Sequence, residues 1–273
     1  MNDRKLSRRA FIAATTTVVA LGGRAKAQTN TARVVPRKIS PNEKLNLAGI
    51  GVGGMGSGDV NGCASENIVA LCDVDWKSAE ETFYRFPEAK KYKDFRKMLE
   101  EMGDDIDGCI ISTPDHTHAP AAYMAMKMGK HVRVQKPLTH TIAEARLLAK
   151  TAEETGLITQ MGNQGHAGDG VRELCEMLWD GAIGQVKEAH IWTDRPIWPQ
   201  GIERPLREQP IPETMDWDLW IGAAPMRPYN RNYAPFKWRG WWDFGFGAIG
   251  DIACHIMDPA FWSLKLYEAT SYT

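Results

Sequence analysis

Cysteine is scarce in this chain, and its N-terminal apolar run is short. The five cysteines are odd in number, none stand in C-x-x-C spacing, and Cys72 and Cys109 fall inside apolar runs typical of strands. We therefore interpret the cysteines as buried thiols of a protein that folds in a reducing compartment. The apolar stretch from Phe11 to Leu21 falls short of the roughly 20 residues that a transmembrane helix needs.

The sequence also lacks an excess of basic residues. Its formal net charge is −1, and residues 1–27 hold six basic residues and one acidic residue, so the remainder carries −6. Nucleic acid and anionic membranes are therefore not expected partners. With 273 residues, 43% hydrophobic and 25% charged, the composition is typical of a globular protein and the length favours two domains.

Residues 1–27 have the features of an export signal. They contain S-R-R-A-F at residues 7–11, a twin-arginine (Tat) pattern, and A-K-A at residues 25–27, a cleavage site. An amphipathic helix that stays attached is the alternative, which the threonines at positions 15–17 disfavour. We predict a signal peptide over residues 1–27, export by the Tat translocase to the periplasm or beyond, no membrane anchor, and a linker over residues 28–44.

The next segment has the order strand, glycine turn, helix. An apolar run over residues 45–50 precedes Gly51, Gly53 and Gly56, which form G-x-G-x-x-G where the strand should turn into a helix. These glycines allow a tight turn, close approach of the backbone to a pyrophosphate, and close packing of helix on strand. The pattern predicts a dinucleotide-binding Rossmann domain. A flexible glycine loop in an unrelated α/β protein is the alternative.

A carboxylate at the end of the second strand predicts which dinucleotide binds. The apolar run over residues 68–72 ends in Asp73, where an acidic side chain binds the adenosine ribose hydroxyls and repels a 2′-phosphate. We therefore expect NAD, and NADP is less favoured.

Strand and helix patterns alternate downstream without an internal repeat, which is typical of a doubly wound parallel sheet. Strands are predicted over residues 106–112, 131–134 and 157–161, with helices over residues 120–128 and from a capping box at residues 141–144 to about residue 154. Polar residues follow the strands at the edge where such sheets bind ligands. They are Asp115, His116, His118, Lys136, Asn163, Gln164 and His166.

The pattern changes beyond residue 161. Residues 171–179 have the pattern of an amphipathic helix, and residues 185–193 have the pattern of a strand. Residues 194–235 contain eight of the fifteen prolines, so we predict that they form a long ordered loop or a binding surface. Nine of the ten tryptophans lie beyond residue 178, where they either stack on sugar rings or fill a core. We expect an α/β Rossmann domain over residues 45–162 and a partial α+β substrate domain over residues 163–273.

Two further patterns bear on chemistry. Asp251 and His255 stand four apart in a predicted helix, so the carboxylate could fix the imidazole that takes a hydroxyl proton. An ordinary helical pair is the alternative. The run D-H-x-H at residues 115–118 resembles a metal site, but one strand-to-helix turn rarely supplies the geometry for three ligands, so no metal is expected.

Together these pieces resemble the glucose-fructose oxidoreductase, inositol dehydrogenase and MocA (Gfo/Idh/MocA) superfamily over residues 45–273. The resemblance rests on the glycine turn, C-D-V-D at residues 72–75, T-P at residues 113–114 with His118, K-P at residues 136–137, and the Gly-rich segment that leads to Asp251 and His255. Two tryptophan-rich blocks, residues 217–222 and 238–245, are similar to those of a secreted, Tat-exported branch.

The resemblance implies roles for individual residues. Lys136 and His255 would handle the substrate proton, Asp251 would orient His255 or bind substrate, and Asn163 would lie near the nicotinamide. His118 would support the cofactor site or cap a helix, and a solvated surface lysine is the alternative for Lys136. The cofactor-binding residues that we expect are Gly51, Gly53, Gly54, Met55, Gly56, Asp73, Thr113, Pro114, His118, Lys136 and Asn163.

The chain departs from the family pattern in two places. Relatives usually have Glu-Lys-Pro where this chain has Q-K-P at residues 135–137, which changes the electrostatic partner expected for Lys136. Relatives also usually continue into an open sheet that backs the substrate site and mediates oligomers. We therefore expect a C-terminally truncated chain, and a homo-oligomer only where that sheet is present.

These observations predict an oxidoreductase with tightly bound NAD that acts on a carbohydrate or polyol. Hydride would pass between a carbinol carbon and the nicotinamide, while Lys136 and His255 exchange the hydroxyl proton. The alternatives are an NAD-dependent glycosidase of the same superfamily and an inactive sugar- or nucleotide-binding fragment.

The export signal makes a testable prediction. We expect Arg8→Lys combined with Arg9→Lys to keep the protein in the cytoplasm with its signal uncleaved, because a receptor reads the arginine pair. Cell fractionation and the mass of the product measure this. Normal delivery of the double variant to the periplasm would contradict the assignment.

Overall fold

A computed structural model describes residues 36–271 and has a six-stranded parallel sheet at its centre. The predicted signal peptide and the first residues of the predicted linker lie outside the described residues. The strand order is β3-β2-β1-β4-β5-β6, which reverses between β1 and β4 at the switch point where dinucleotides bind. The predicted Rossmann sheet is therefore confirmed. The strands are β1 Asn46–Ile50, β2 Asn67–Cys72, β3 Lys90–Tyr92, β4 Gly108–Ile111, β5 His131–Val134 and β6 Thr159–Met161.

Five helices accompany the strands: α1 Met55–Asn61, α2 Glu80–Arg85, α3 Phe95–Met102, α4 Asp115–Lys127 and α5 Ile142–Thr155. The capping box predicted for α5 is present. The Thr141 hydroxyl accepts a hydrogen bond from the Glu144 amide at 3.1 Å, and the Glu144 carboxylate accepts one from the Thr141 amide at 2.8 Å. The helix ends at Gly156, which has a left-handed φ of 68°.

Helix α4 begins at Asp115, five residues before the predicted start at Pro120. Pro120 lies inside the helix, where it removes a backbone donor. Two buried histidines hold the first turn in place. His116 Nε2 lies 3.1 Å from the Trp220 carbonyl oxygen, and His118 bridges two further carbonyl oxygens. The contacts with the Trp220 and Pro137 carbonyl oxygens come from distant parts of the chain, which is why the local pattern around Pro120 did not predict this helix start.

Apolar side chains cover both faces of the sheet. Along β4, Cys109 and Ile111 belong to the core beneath α3, α4 and α5, whereas Ile110 belongs to the core beneath α1 and α2. This alternation is the period of two expected of a strand. Each such buried side chain contributes about 1.5–3 kcal/mol relative to an exposed one. Cys72, Cys109 and Cys175 are buried, the other two cysteines are half-buried, and all five are free.

The C-terminal part contains helices α6 Asp169–Trp179, α7 Trp217–Ile221, α8 Gly247–Ile256 and α9 Asp258–Ser263. The strand predicted over residues 185–193 is wrong, because that segment is irregular and almost wholly exposed. A strand needs a neighbour to accept and donate its backbone hydrogen bonds. Within residues 36–271 none pairs with this segment. No helix in the same range is long and apolar enough to cross a membrane.

Aromatic side chains form a second core in the C-terminal part. We call it the aromatic cluster: Trp217, Trp220, Tyr229, Tyr233, Trp238, Trp241 and Phe244. The Trp217 and Trp220 rings stack with centroids 4.8 Å apart. Of the two interpretations of the tryptophans, packing in a core therefore holds for the four tryptophans of this cluster, which are Trp217, Trp220, Trp238 and Trp241. An antiparallel bridge between Asp75 and Met215 joins the segment before the cluster to the end of β2.

The glycine turn predicts a matched pair of variants on α1. A methyl group at Gly56 would overlap the Gly51 carbonyl oxygen, whereas one at Gly58 would meet nothing within 4 Å. We expect Gly56→Ala to destabilise the fold by about 1–3 kcal/mol or more through overpacking. Gly58→Ala should be neutral or stabilising by up to about 1 kcal/mol, because alanine favours helix. Urea unfolding measures both, and equal stability of the two variants would contradict the close approach.

Candidate active site

A cavity of about 550 Å³ lies at the carboxyl ends of the strands. This volume is typical of small-molecule sites. The cavity runs from the glycine turn to α8 and brings ten of the predicted site residues together. They are Gly51, Gly53, Gly54, Met55, Asp73, Thr113, Pro114, Lys136, Asp251 and His255. Gly56, His118 and Asn163 do not line it and support it from outside or from its edge.

The glycine turn has a conformation that other residues rarely adopt. Gly51 has a φ of 75°, and its amide donates a hydrogen bond to the Cys72 carbonyl oxygen at 2.8 Å. A methyl group at Gly51 would approach the Thr113 amide nitrogen to 2.8 Å. The turn is therefore held against the ends of both β2 and β4, and only glycine fits at its first position.

Asp73 holds the turn from the end of β2. Its Oδ2 accepts hydrogen bonds from the amides of Val52 at 2.9 Å and Gly53 at 3.0 Å, and its Oδ1 accepts one from the Asp75 amide at 2.9 Å. Burial raises the pKa of Asp73, and these three amides oppose that rise. Asp73 thus organises the backbone of the cofactor end, a role that the sequence did not predict.

Lys136 and Asp251 form an ion pair in the cavity wall. Lys136 Nζ lies 2.8 Å from Asp251 Oδ1 and 2.6 Å from the Asp251 carbonyl oxygen, and the two side chains are 13% and 12% exposed. Arg239 Nε donates to the same carboxylate oxygen at 3.1 Å. Burial opposes ionisation of Asp251, but the hydrogen bond and charge of Lys136, with Arg239, outweigh it and lower the pKa. Lys136 is therefore not a solvated surface lysine.

Asp251 and His255 project from the same face of α8, as predicted, but their side chains are not hydrogen-bonded to each other. The Asp251 carboxylate binds Lys136 and Arg239 instead. The exposed His255 side chain lines the cavity. Partial desolvation of its ring and the Lys136 ammonium lower the pKa of His255, so the imidazole is neutral at pH 7 and able to accept a proton.

His118 joins two strand ends behind the cavity. Its Nε2 lies 2.7 Å from the Thr113 carbonyl oxygen and its Nδ1 lies 2.8 Å from the Pro137 carbonyl oxygen. Burial lowers the pKa of His118 to about 4, so the ring is neutral and donates through one nitrogen. Of the two roles expected for His118, this geometry fits support of the site, because the ring packs between the turn after β4 and the residue that follows Lys136 and donates a hydrogen bond to one of the two carbonyl oxygens.

Two residues that line the cavity, Thr113 and Trp198, have a buried polar side-chain atom without a hydrogen-bond partner within the part of the chain described. Asn163, which precedes the lining residue Gln164, has a third such atom. The atoms are Thr113 Oγ1, Trp198 Nε1 and Asn163 Oδ1. Buried polar atoms are ordinarily paired. The positions of Thr113 beside the glycine turn and of Asn163 after β6 fit a dinucleotide that extends along the switch point.

The side chains of the D-H-x-H run point to different partners. Asp115 lines the cavity, His118 bridges carbonyl groups, and His116 packs in the aromatic cluster with ring centroids 5.2 Å from Trp220 and 5.1 Å from Phe244. Burial lowers the pKa of His116 to about 4. The three side chains therefore serve the cavity, the turn and the core separately.

Sequence reasoning missed the aromatic and cationic part of the cavity. Arg239 lies over the rings of Trp238, Phe236 and Trp198, with centroids 4.2, 5.0 and 5.7 Å away. Arg195 also lines this part. The block at residues 238–245 supported the family resemblance, but no local pattern marks Arg239 as a partner of Asp251.

Comparison with known proteins agrees with this geometry. Residues 45–163 match the Gfo/Idh/MocA family model described as "Oxidoreductase family, NAD-binding Rossmann fold", and residues 187–270 match the model of its "C-terminal alpha/beta domain". A "Glycosyl hydrolase family 109 protein" of Shewanella pealeana is 32% identical over 56% of this chain and 35% of its own length. A "Levoglucosan dehydrogenase" of Pseudarthrobacter phenanthrenivorans is 25% identical over 74% of this chain and 43% of its own.

A solved structure shows the same fold. The crystal structure of an oxidoreductase domain protein from Kribbella flavida superposes with a TM-score of 0.58 and 24% identity, covering 82% of this chain and 54% of that one. The chain spans less than half the length of the two curated relatives. The two family models and the glycine turn, Asp73 and cavity that they cover show that the chain belongs to the Gfo/Idh/MocA oxidoreductase family and has its NAD-binding Rossmann fold.

Proposed function

We propose that this protein is an NAD-dependent oxidoreductase that binds its cofactor tightly and acts on a carbinol carbon of a carbohydrate or polyol. One observation carries the proposal. A single cavity contains the glycine turn and Asp73 at one end and Lys136, Asp251 and His255 at the other. The same cavity therefore holds groups that can bind a dinucleotide and groups that can transfer a proton to or from a substrate.

The residues present fit NAD. The glycine turn offers a backbone without side chains, and Thr113 Oγ1 and Asn163 Oδ1 are buried atoms that need a partner. These groups, with Asp73 at the adenosine end, would hold the cofactor. When bound, the nicotinamide supplies the hydride acceptor or donor, and the protein supplies binding, orientation and proton transfer.

Two groups at the other end suit proton transfer. The Lys136 ammonium, held by Asp251, offers its remaining N–H to a substrate oxygen. The imidazole of His255, whose pKa is lowered below its ordinary value, lines the cavity and can accept a hydroxyl proton. Both groups line the cavity, which supports their assignment as the acid–base residues of the reaction.

The carbohydrate class is supported by the cavity wall and by relatives. Phe236 lines the cavity and, unlike the buried Trp198 and Trp238, exposes about half of its surface, so it can offer an apolar ring surface to a sugar. A relative named levoglucosan dehydrogenase matches over most of this chain. The twin-arginine pattern adds a proposed periplasmic location, reached after folding with cofactor already bound.

A glycosidase that uses NAD within each turnover is the second candidate. Curated relatives from Shewanella pealeana and Saccharopolyspora erythraea, 32% and 34% identical, carry the name "Glycosyl hydrolase family 109 protein". The assay that separates the candidates incubates the protein with free sugars and with glycosides. Net reduction of an added acceptor supports the dehydrogenase, whereas release of an aglycone without net reduction supports the glycosidase.

The role of Asp73 predicts the cofactor and its response to substitution. We expect mass spectrometry to identify NAD in the protein as purified. Asp73→Asn should weaken NAD binding by roughly tenfold and shift preference toward NADP, because a negative charge and a hydrogen-bond acceptor of the turn are both lost. Glu88→Gln, at an exposed position away from the cavity, is the control. NADP as the native cofactor would contradict the assignment.

The acid–base assignment predicts a separation of binding from turnover. Lys136→Ala and His255→Ala should each lower turnover by roughly a hundredfold or more, while NAD occupancy stays near that of the wild type. Lys150→Ala and His190→Ala, both exposed and outside the cavity, should retain turnover. If NAD is lost or the fold collapses in the first pair, those residues are structural and the assignment is wrong.

A further inference from the structure

Residues 214–222, which we call the clamp segment, lie across the cofactor end of the cavity. The clamp segment includes α7. Three of its side chains, Met215, Leu219 and Trp220, line the same cavity as the glycine turn and Asp73. The proposed function gives these three side chains no role. The cavity wall at the cofactor end is therefore formed by the C-terminal part as well as by the Rossmann fold.

One end of the clamp segment is fixed to the residues that follow β2. The Thr214 hydroxyl donates a hydrogen bond to Asp75 Oδ1 at 2.8 Å, and the Thr214 carbonyl oxygen accepts one from the Trp76 amide at 3.2 Å. The Asp216 amide donates to the Val74 carbonyl oxygen at 2.8 Å. Thr214 makes these contacts with protein and does not itself line the cavity. It is therefore an anchor of the clamp segment and not a part of the cavity wall.

The other end of the clamp segment is fixed to the first turn of α4. The Trp220 carbonyl oxygen lies 3.1 Å from His116 Nε2, and the rings of these two residues pack with centroids 5.2 Å apart. Gly222 lies against Thr117, because a methyl group at Gly222 would approach Thr117 Cγ2 to 3.1 Å. The clamp segment therefore extends from the end of β2 to the helix that follows β4.

The adenosine part of a dinucleotide fits beneath this segment. In doubly wound sheets the ligand lies in the crevice beyond the carboxyl ends of the strands, with the adenosine ribose at the acidic residue after the second strand. Asp73 and the glycine turn mark that crevice, and the clamp segment joins its β2 side to its β4 side. The buried Met215 and the half-buried Leu219 add apolar side chains to its wall, as is typical of sites that bind small molecules.

We propose that the clamp segment encloses the adenosine end of bound NAD and must open before the cofactor can leave. The inference rests on the proposed function, for which it supplies a physical cause of tight cofactor binding. Contacts on both sides of the crevice hold the clamp segment closed. Because Thr214 contacts protein and not the cavity, weakening its hydrogen bonds should speed release without removing any contact with the cofactor. A segment that only lined the site would not respond in this way.

The first test measures how fast bound NAD leaves. The purified protein with its NAD is mixed with an excess of isotopically labelled NAD, and exchange is followed by mass spectrometry. We expect Thr214→Val to exchange NAD roughly threefold to tenfold faster than the wild type, because one hydrogen bond of the clamp segment is lost. Thr159→Val, at an exposed position on β6 outside the cavity, should exchange at the wild-type rate. Exchange by Thr214→Val at the wild-type rate would overturn the proposal.

A shorter ligand tests which part of the dinucleotide is enclosed. ADP-ribose has the adenosine end but no nicotinamide, so Thr214→Val stripped of NAD and loaded with ADP-ribose should show the same acceleration. Leu219→Ala should speed release of both ligands roughly tenfold, because an apolar side chain of the cavity wall is shortened. Leu206→Ala, at a fully exposed position, is the control. Faster release of NAD with unchanged release of ADP-ribose would mean that the adenosine end is not enclosed, and the proposal would be wrong.

Hydrogen exchange of the wild type gives a readout that depends on no variant. The Asp216 and Trp76 amides donate the hydrogen bonds that join the clamp segment to the end of β2. We expect ADP-ribose to slow the exchange of both amides by roughly tenfold or more relative to the stripped protein, because the ligand holds the clamp segment closed. The Gly156 amide, which donates to the Ala152 carbonyl oxygen at the end of α5, should change little. Equal slowing at all three amides, or no slowing at the first two, contradicts the proposal.

Failure of the proposed function is distinguishable from failure of the clamp segment. Release of ADP-ribose and hydrogen exchange report on the clamp segment whether or not the protein oxidises a sugar. A wild type that holds NAD but oxidises no sugar would refute the proposed reaction and leave these readouts intact. A wild type that binds neither NAD nor ADP-ribose would refute the cofactor assignment, and the enclosure of NAD with it.

Discussion

The ion pair between Lys136 and Asp251 is the interaction on which the site depends. It joins the end of β5 to α8 across 115 residues of sequence, and Arg239 on the preceding turn shares the same carboxylate. The pair joins the part of the cavity wall that comes from the cofactor-binding fold to the part that comes from the C-terminal helices. Removal of Asp251 would leave the charges of Lys136 and Arg239 without their shared carboxylate, and breaking a buried pair in this way costs about 3–5 kcal/mol. Asp251 is therefore structural as well as chemical, whereas removal of Lys136 leaves the carboxylate paired with Arg239.

The two ends of the cavity use different electrostatics. At the cofactor end, two backbone amides of the glycine turn donate hydrogen bonds to the Asp73 carboxylate, so a side chain holds the backbone of the turn in place. At the other end, buried side chains set the charges. Lys136 and Arg239 keep Asp251 ionised, whereas burial raises the pKa of Asp115 to about 7. The surroundings of these two carboxyls therefore push their pKa values in opposite directions.

The aromatic cluster holds the irregular C-terminal segment in place beside the site. Few of its residues are in regular structure, so backbone hydrogen bonds alone do not fix it. Stacked rings around Trp220 and Phe244 fill this role, and His116 links them to the first turn of α4. The same turn begins at Asp115. Packing of the cluster thus positions Asp115 in the cavity wall.

Local patterns were sufficient to predict the parallel sheet, the glycine turn, the capping box of α5 and the helix that carries Asp251 and His255. Each depends on residues a few positions apart, where backbone geometry and hydrophobic period decide the outcome. Tertiary structure alone decided the early start of α4, the irregular segment at residues 185–193, the partners of Asp251 and the burial of Asp115. These features depend on groups far apart in sequence, and the energy of a buried charge or an unpaired strand is set by whichever neighbours the completed fold brings to it.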